Sequence, residues 1–222
     1  MAVNRLCLKA TKKNPYDSRA HYGLSRCAKD ANRLEAALTY IEHSLKHAAA
    51  GDKREYTTHR GNIFYQLSLT PGLDIEQHLH YLNRAVEDRS IYFAKAKVDR
   101  ASLYFQLATR ALDAGDLNRA IRYLDSAIED HPGYLKAKAA RGEAYYKLAD
   151  HDRRRGDMEA CLQNLSMALQ DLPGHERARS ERARAHFHFA LQHERHRELK
   201  PPTTDFIGRE RMTRTFARRT KN

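Results

Sequence analysis

The sequence predicts an all-α fold built from a series of stacked helix pairs. The segments AIRYLDSAIEDHP (120–132) and CLQNLSMALQDLP (161–173) share one pattern, and a Gly-Asp pair precedes each of them. Self-similarity at a period of about 20 to 50 residues is typical of helical repeat architectures. A small residue also recurs once per repeat in the first helix, which we call the A helix. This small position is occupied by Ser25, Gly61, Ala101, Gly142 and Ala183.

The boundaries of each element follow from helix stop and start residues. Pro132 and Pro173 close the second helix of their repeats, the B helix, because proline cannot continue a helix. Gly115-Asp116 and Gly156-Asp157 separate an A helix from its B helix, since Gly ends helices and Asp begins them. We therefore expect an isolated B helix at 2–14, repeats at about 16–50, 52–88, 91–131 and 133–172, a final A helix at 175–200 and a basic tail at 201–222.

The framework residues resemble those of the tetratricopeptide repeat (TPR) family. Gly142, Tyr145, Ala168 and Pro173 match the family pattern, and the preceding repeat matches it at its corresponding residues. The resemblance implies a right-handed solenoid of about ten helices whose A helices line a concave groove. The spacing within repeats departs from the family, because the A helices after the first are longer by five to seven residues.

The beginning of the chain aligns with a B helix that has no A helix before it. Val3 and Leu6 would then lack part of their cover. This pattern indicates a fragment of a longer chain, or a face completed by a partner protein or by a second copy of the chain. A mitochondrial presequence is an alternative, because the first 16 residues contain four basic residues and no acidic one.

Composition limits the class of partner and the location. The formal charge of +12 favours an anionic partner. Three scattered cysteines without a CxxC pair indicate a reducing compartment, so we expect an intracellular and most simply cytoplasmic protein, with mitochondrial and nuclear locations open. No apolar run approaches the length of a membrane span. Cys161 stands where the TPR pattern has alanine, and we expect it to act as a small packing residue.

The TPR resemblance also implies which side chains point into the groove. A second aromatic, four residues after the small position, forms a possible ladder, although the same rings could instead pack between repeats. Basic residues flank this ladder, and such a surface suits a peptide with acidic character. The predicted groove residues are Tyr65, Phe105, Tyr146, Phe187, Lys95, Lys136, Arg177, Asn62 and Arg184.

Basic charge is concentrated in the last section of the chain, from His175 to Asn222, and Pro201-Pro202 ends the final helix within it. Aromatic and apolar residues alternate there with arginines, which suits contact with phosphates or docking on a protein, and a solvated tail is the third possibility. The predicted contact residues of this tail are Arg209, Arg211, Arg214, Phe216, Arg218 and Arg219.

The sequence carries only weak candidates for a catalytic or metal-binding site. His193 and His196 are three residues apart, whereas the zinc-binding helix motif needs histidines four apart around a Glu. The sequence contains no phosphate-binding glycine loop and no nucleophile elbow. We therefore predict a non-enzymatic interaction scaffold or adaptor without metal or cofactor, which binds a protein or peptide in its groove. The alternative is an RNA-associated helical-repeat protein that uses its basic C-terminal region.

Overall fold

The computed structural model describes the backbone of residues 2–198 and the side chains of residues 3–191 and Glu194. These residues form ten α-helices and no β-strand, which confirms the all-α prediction. Two compact units divide the chain at 144/145, a point within the eighth helix. The helices are α1 (Ala2–Lys13), α2 (Ser18–Asp30), α3 (Leu34–Lys46), α4 (Lys53–Ser68), α5 (Ile75–Glu87), α6 (Phe93–Asp113), α7 (Leu117–Asp130), α8 (Leu135–Arg155), α9 (Met158–Asp171) and α10 (Glu176–Glu198).

The Gly-Asp pairs act as the sequence predicts. Gly115 and Gly156 follow the A helices α6 and α8 with positive φ angles of 76° and 79°, a conformation that glycine adopts without steric cost. The next residues, Asp116 and Asp157, accept hydrogen bonds from backbone N–H groups in the first turns of α7 and α9, at 2.9 and 3.0 Å. Each pair therefore ends one helix and caps the next.

The small position is where A and B helices approach each other in the first unit. Ser25 is fully buried, and its hydroxyl donates a 2.7 Å hydrogen bond to the carbonyl of Ala37 on the B helix α3. A Cβ atom on Gly61 would lie only 2.8 Å from Cβ of Asp88, so this site has no room for a side chain. Ala101 is buried in one cluster with Leu124 of α7. Small side chains thus permit close helix packing, as the repeat pattern predicts.

The second unit has its own core between α9 and α10. Cys161 and Leu165 of α9 are buried in one cluster with Ala178 and Ala185 of α10. Cys161 is 1% exposed, and burial raises the pKa of its thiol. Its packing role therefore agrees with the expectation from the sequence.

The A helices lengthen along the chain, from 13 residues in α2 to 21 in both α6 and α8. The helix α4 reaches only 16 residues. The rest of the predicted extension in that repeat forms the loop 69–74, which contains Pro71-Gly72. Asp74 ends this loop with a capping box at the start of α5.

The first helix, α1, packs against α2 and leaves apolar side chains open. Val3 is 58% exposed and Leu6 is 66% exposed. On the packed side, a Cβ atom added to Gly23 would lie 2.5 Å from Sγ of Cys7. Glycine at this position allows α1 to approach α2.

Buried ion pairs join A and B helices within a repeat, a feature that the sequence analysis did not anticipate. Arg60 of α4 donates two 2.7 Å hydrogen bonds to the carboxylate of Asp88. Arg100 of α6 makes the equivalent pair with Asp130, at 2.6 and 2.7 Å. Both arginines directly precede the small position, so the pair is itself a repeated element.

Candidate functional site

The predicted aromatic ladder forms contacts between repeats. Tyr65 is 2% exposed, its ring stacks on Tyr92 at a centroid distance of 4.7 Å, and its hydroxyl donates to Asp99 at 3.0 Å. Burial is the main cause and this hydrogen bond the second cause that raises the pKa of Tyr65 to about 12. The burial corrects the assignment of Tyr65 as an accessible groove residue, because the next repeat covers its side chain.

The same contact recurs at the other aromatic positions. The ring of Phe105 lies 5.3 Å from that of Tyr134, just before the next A helix. Phe105 has no hydroxyl, and Ala140 occupies the place that corresponds to Asp99. Where the ring has no hydroxyl to donate, the next repeat thus has no carboxylate to accept a hydrogen bond.

In the second unit, Tyr146 follows the pattern of Tyr65. Its ring lies 4.6 Å from His175, and its hydroxyl donates to Glu181 at 3.1 Å. Burial, followed by this hydrogen bond, raises the pKa of Tyr146. Phe105 and Tyr146 are both half-buried, so they serve the packing between helices rather than an open ladder. Of the predicted ladder, Phe187 alone is exposed, at 64%.

The predicted basic residues of the first unit are exposed on its A helices. Lys95 on α6 and Lys136 on α8 stand at the same place in consecutive repeats, six residues before the small position. Neither forms an ion pair with a described residue. Nζ of Lys95 lies 5.8 Å from the centroid of the Tyr65 ring. Both ammonium groups are thus available to an anionic ligand.

A cleft of about 490 Å³ lies beside α4 and is open to solvent. Arg54 and Asn62 line it from α4, and Tyr22 lines it from α2. The hydroxyl of Tyr22 donates to Glu55 at 2.8 Å. Burial, as the main cause, and this hydrogen bond raise the pKa of Tyr22 to about 12. Asn62 is half-buried, and its side-chain oxygen accepts the backbone N–H of Ile91 at 2.9 Å. This bond ties Asn62 to the turn before α6.

The helix α6 also presents an exposed apolar side chain, Val98, which is 44% exposed. It lies one turn along the helix from Lys95 and Ser102, both exposed. We call this surface of the first unit the A-helix face, defined as Tyr22, Arg54, Asn62, Lys95, Val98 and Lys136.

The remaining predicted site residues divide into two groups. Arg177, Arg184 and Phe187 are exposed on α10 of the second unit. The tail residues Arg209, Arg211, Arg214, Phe216, Arg218 and Arg219 lie outside the described residues.

Histidines gather in the first unit without forming a metal site. The rings of His21 and His43 are 4.0 Å apart, and His47 lies 5.0 Å from His43. Burial and the neighbouring His21 lower the pKa of His43. Within the described part of the chain, no group of three potential ligands is placed to hold a metal ion. Nor does that part contain a helix both long and apolar enough to cross a bilayer.

The helix pairs reproduce the framework that the sequence shares with TPR proteins: small residues buried between A and B helices, and aromatic residues joining successive repeats. The chain therefore has an all-α helical-repeat fold with a TPR-like framework. No family model and no curated protein matches the sequence.

Several solved TPR structures are similar to the chain. A TPR protein from Bacteroides fragilis has 12% identity and a TM-score of 0.44, with 82% of this chain and 88% of that chain covered. A thermophilic TPR protein from Thermus thermophilus has 19% identity and a TM-score of 0.30, with coverage of 83% and 89%. The TPR2AB domain of yeast Sti1, in complex with pHSP90, has 14% identity and a TM-score of 0.33, with coverage of 84% and 76%.

The packing between repeats buries aromatic residues that the sequence pattern alone places on a face of the A helix. Of two adjacent aromatics, Phe64 and Tyr65, one was expected to face the groove, yet both are buried. The coupled change of Phe105 with Ala140, against Tyr65 with Asp99, was visible in the sequence and indicates the contact between repeats.

Proposed function

We propose that this chain is a non-enzymatic interaction scaffold whose A-helix face binds an acidic peptide segment of a protein partner. The observation that carries the proposal is the pair of exposed lysines, Lys95 and Lys136, at equivalent places in consecutive repeats. Neither is neutralised by an ion pair with a described residue. An extended ligand that follows the A helices would meet both in turn.

The acidic groups near this face are held by internal contacts. Glu55 accepts the hydroxyl of Tyr22, and Asp99 accepts that of Tyr65. These hydrogen bonds direct the carboxylates toward tyrosines of the protein, whereas Arg54, Lys95 and Lys136 remain available to a ligand. The arrangement therefore favours anionic over cationic peptides.

Apolar contact supplements the charge. Exposed ion pairs contribute at most about 1 kcal/mol each, so three basic residues alone would bind weakly. Val98 and the partly exposed ring of Tyr22 offer apolar area on the same face. A segment that alternates acidic and apolar residues satisfies both kinds of contact.

Fluorescence anisotropy with a labelled peptide tests the proposal. The probe is a twelve-residue peptide of repeating Asp-Glu-Leu, and a peptide of repeating Ser-Gln-Leu serves as the uncharged reference. We expect the full chain to bind the acidic probe more tightly than the reference. The double variant Lys95→Glu with Lys136→Glu should weaken acidic binding at least tenfold, because it replaces two attractions with repulsions.

The matched control is Lys46→Glu with Arg122→Glu. Both residues are exposed on B helices, so the net charge changes equally away from the A-helix face. If both double variants lose the same affinity for the acidic probe, net charge alone explains the effect and the site assignment is refuted. A single-stranded RNA competitor that displaces the acidic probe from wild type, but not from the Lys95/Lys136 variant, would favour nucleic acid as the ligand of this face.

A further inference from the structure

The last A helix, α10, carries an exposed apolar stripe. Phe187 is 64% exposed and Leu191 is 41% exposed, and Ala183 and Ala190 are exposed as well. These residues lie at i, i+4, i+7 and i+8, a spacing that places them on one side of a helix. At a rise of about 1.5 Å per residue the stripe is about 12 Å long. We call these four residues the α10 stripe.

In the other repeats this side of the A helix is covered by a B helix. Ala183 occupies the small position, whose equivalents Ser25 and Ala101 are fully buried against α3 and α7. In α10 the opposite side, with Ala178 and Ala185, is buried against α9. The α10 stripe is therefore a surface shaped for a second helix, and no helix within the described residues covers it.

Charged side chains border the stripe. At about 100° per residue, Arg179 and His186 fall along one edge, and Arg184 falls along the other. All three are exposed. Glu181 lies on the far side of the helix, where it accepts the hydroxyl of Tyr146. Both long edges of the stripe are therefore basic, while the exposed Glu176 and Glu194 lie in line with the stripe beyond its two ends.

We propose that the α10 stripe binds an amphipathic helix with acidic flanks, supplied by a partner protein. The apolar side of that helix packs on Phe187 and Leu191, a small residue faces Ala183, and its carboxylates meet Arg179 and Arg184.

The charge of the borders selects this occupant. A second copy of α10 would bring the same arginines to the interface. The chain's own segment 203–222 has six Lys and Arg against two acidic residues, so its net charge has the same sign as the long edges of the stripe and does not complement them. An acidic helix fits both the apolar stripe and its borders.

Anisotropy with designed helical probes tests the assignment on the full chain. One labelled fourteen-residue probe carries Leu and Ala on one side and Glu on both flanks, and the second probe replaces each Glu with Lys. Wild type should bind the Glu probe at least tenfold more tightly than the Lys probe. Phe187→Ala should weaken Glu-probe binding at least tenfold, and Leu135→Ala, at a residue 75% exposed on α8, is the matched control.

Charge reversal gives a result that no loss of folding can imitate. Arg179→Glu with Arg184→Glu should invert the preference, so that the Lys probe binds and the Glu probe does not. The Glu probe also carries the acidic and apolar groups proposed to bind the A-helix face, so each comparison is repeated in the Lys95→Glu with Lys136→Glu background. The preference for the Glu probe and its loss in Phe187→Ala should persist there, which separates this site from the A-helix face. The proposal is overturned if Phe187→Ala retains full affinity, if the preference does not invert, or if a peptide of residues 203–222 displaces the Glu probe from wild type.

Discussion

The buried ion pair between Arg100 and Asp130 should be worth far more to stability than an exposed pair. The side chain of Asp130 is 3% exposed and that of Arg100 is 17% exposed, with two hydrogen bonds of 2.6 and 2.7 Å between them. Removing one partner of a buried pair costs about 3–5 kcal/mol, because the other charge stays buried without compensation. Asn83 still accepts from Arg100 at 2.9 Å, so we expect about 3 kcal/mol for Asp130→Ala.

A double-mutant cycle isolates the pair from other losses. Arg100→Ala leaves Asp130 with Lys97, whose Nζ lies 3.6 Å away, so this variant should also lose about 3 kcal/mol. Because both single variants lose the same interaction, the double variant should lose less than their sum, with a coupling energy of about 2 kcal/mol. Urea unfolding followed by far-ultraviolet circular dichroism measures each free energy of unfolding.

The exposed pair Arg84–Glu87 provides the control cycle. Its side chains are 35% and 60% exposed and its closest N–O distance is 3.1 Å. We expect a coupling energy below about 0.5 kcal/mol there. A coupling below about 1 kcal/mol for Arg100–Asp130, or equal values for the two pairs, would refute the claim that burial gives the repeated pair its strength.

Three further predictions concern single residues of the first unit. Burial lowers the pKa of His59 to about 4, so the free energy of unfolding of wild type should fall by up to about 3 kcal/mol as the pH falls from 6.5 through 4. In urea titrations at both pH values, His59→Gln should show a smaller fall. An equal fall would refute this. Tyr65→Phe removes the hydroxyl bonded to Asp99 and should lower the free energy of unfolding by about 1 kcal/mol in the same assay, since a half-buried acceptor loses its donor. An unchanged urea midpoint would count against the contact. Gly61→Ala should lower the thermal midpoint by several degrees despite the better helix propensity of alanine, whereas Gly51→Ala, where an added Cβ meets nothing within 4 Å, should not; equal midpoints would contradict the close approach.

The sequence was sufficient for the order of helices and for the framework of each repeat. Pro and Gly-Asp signals act locally, so the starts of α7 and α9 follow from residues next to each other in the chain. The small position was also predictable, because close packing of A and B helices requires a small residue at the same place in each repeat. The length of α4 was predicted less well, because residues added between two helices can extend a helix or form a loop.

Contacts between distant residues were harder to predict. Arg60 and Asp88 are separated by 28 positions, and each residue alone looks like an ordinary surface charge. Tyr65 was assigned to the groove because the helical pattern identifies aromatics on a face and does not identify what covers that face. Lys95 and Lys136 are exposed and form no ion pair with a described residue, and their assignment to a partner-binding groove stays a prediction.

Site-specific photo-crosslinking shows where an acidic peptide lies on the chain and so tests whether the A-helix face binds it. A photoreactive phenylalanine derivative replaces Val98 on α6 or, as the control, Arg122 on the B helix α7, and each chain is irradiated with the labelled Asp-Glu-Leu probe. The proposed function predicts a cross-link from position 98, suppressed by Lys95→Glu with Lys136→Glu, and none from position 122. Equal cross-linking from both positions, or a cross-link from position 122 alone, would contradict it.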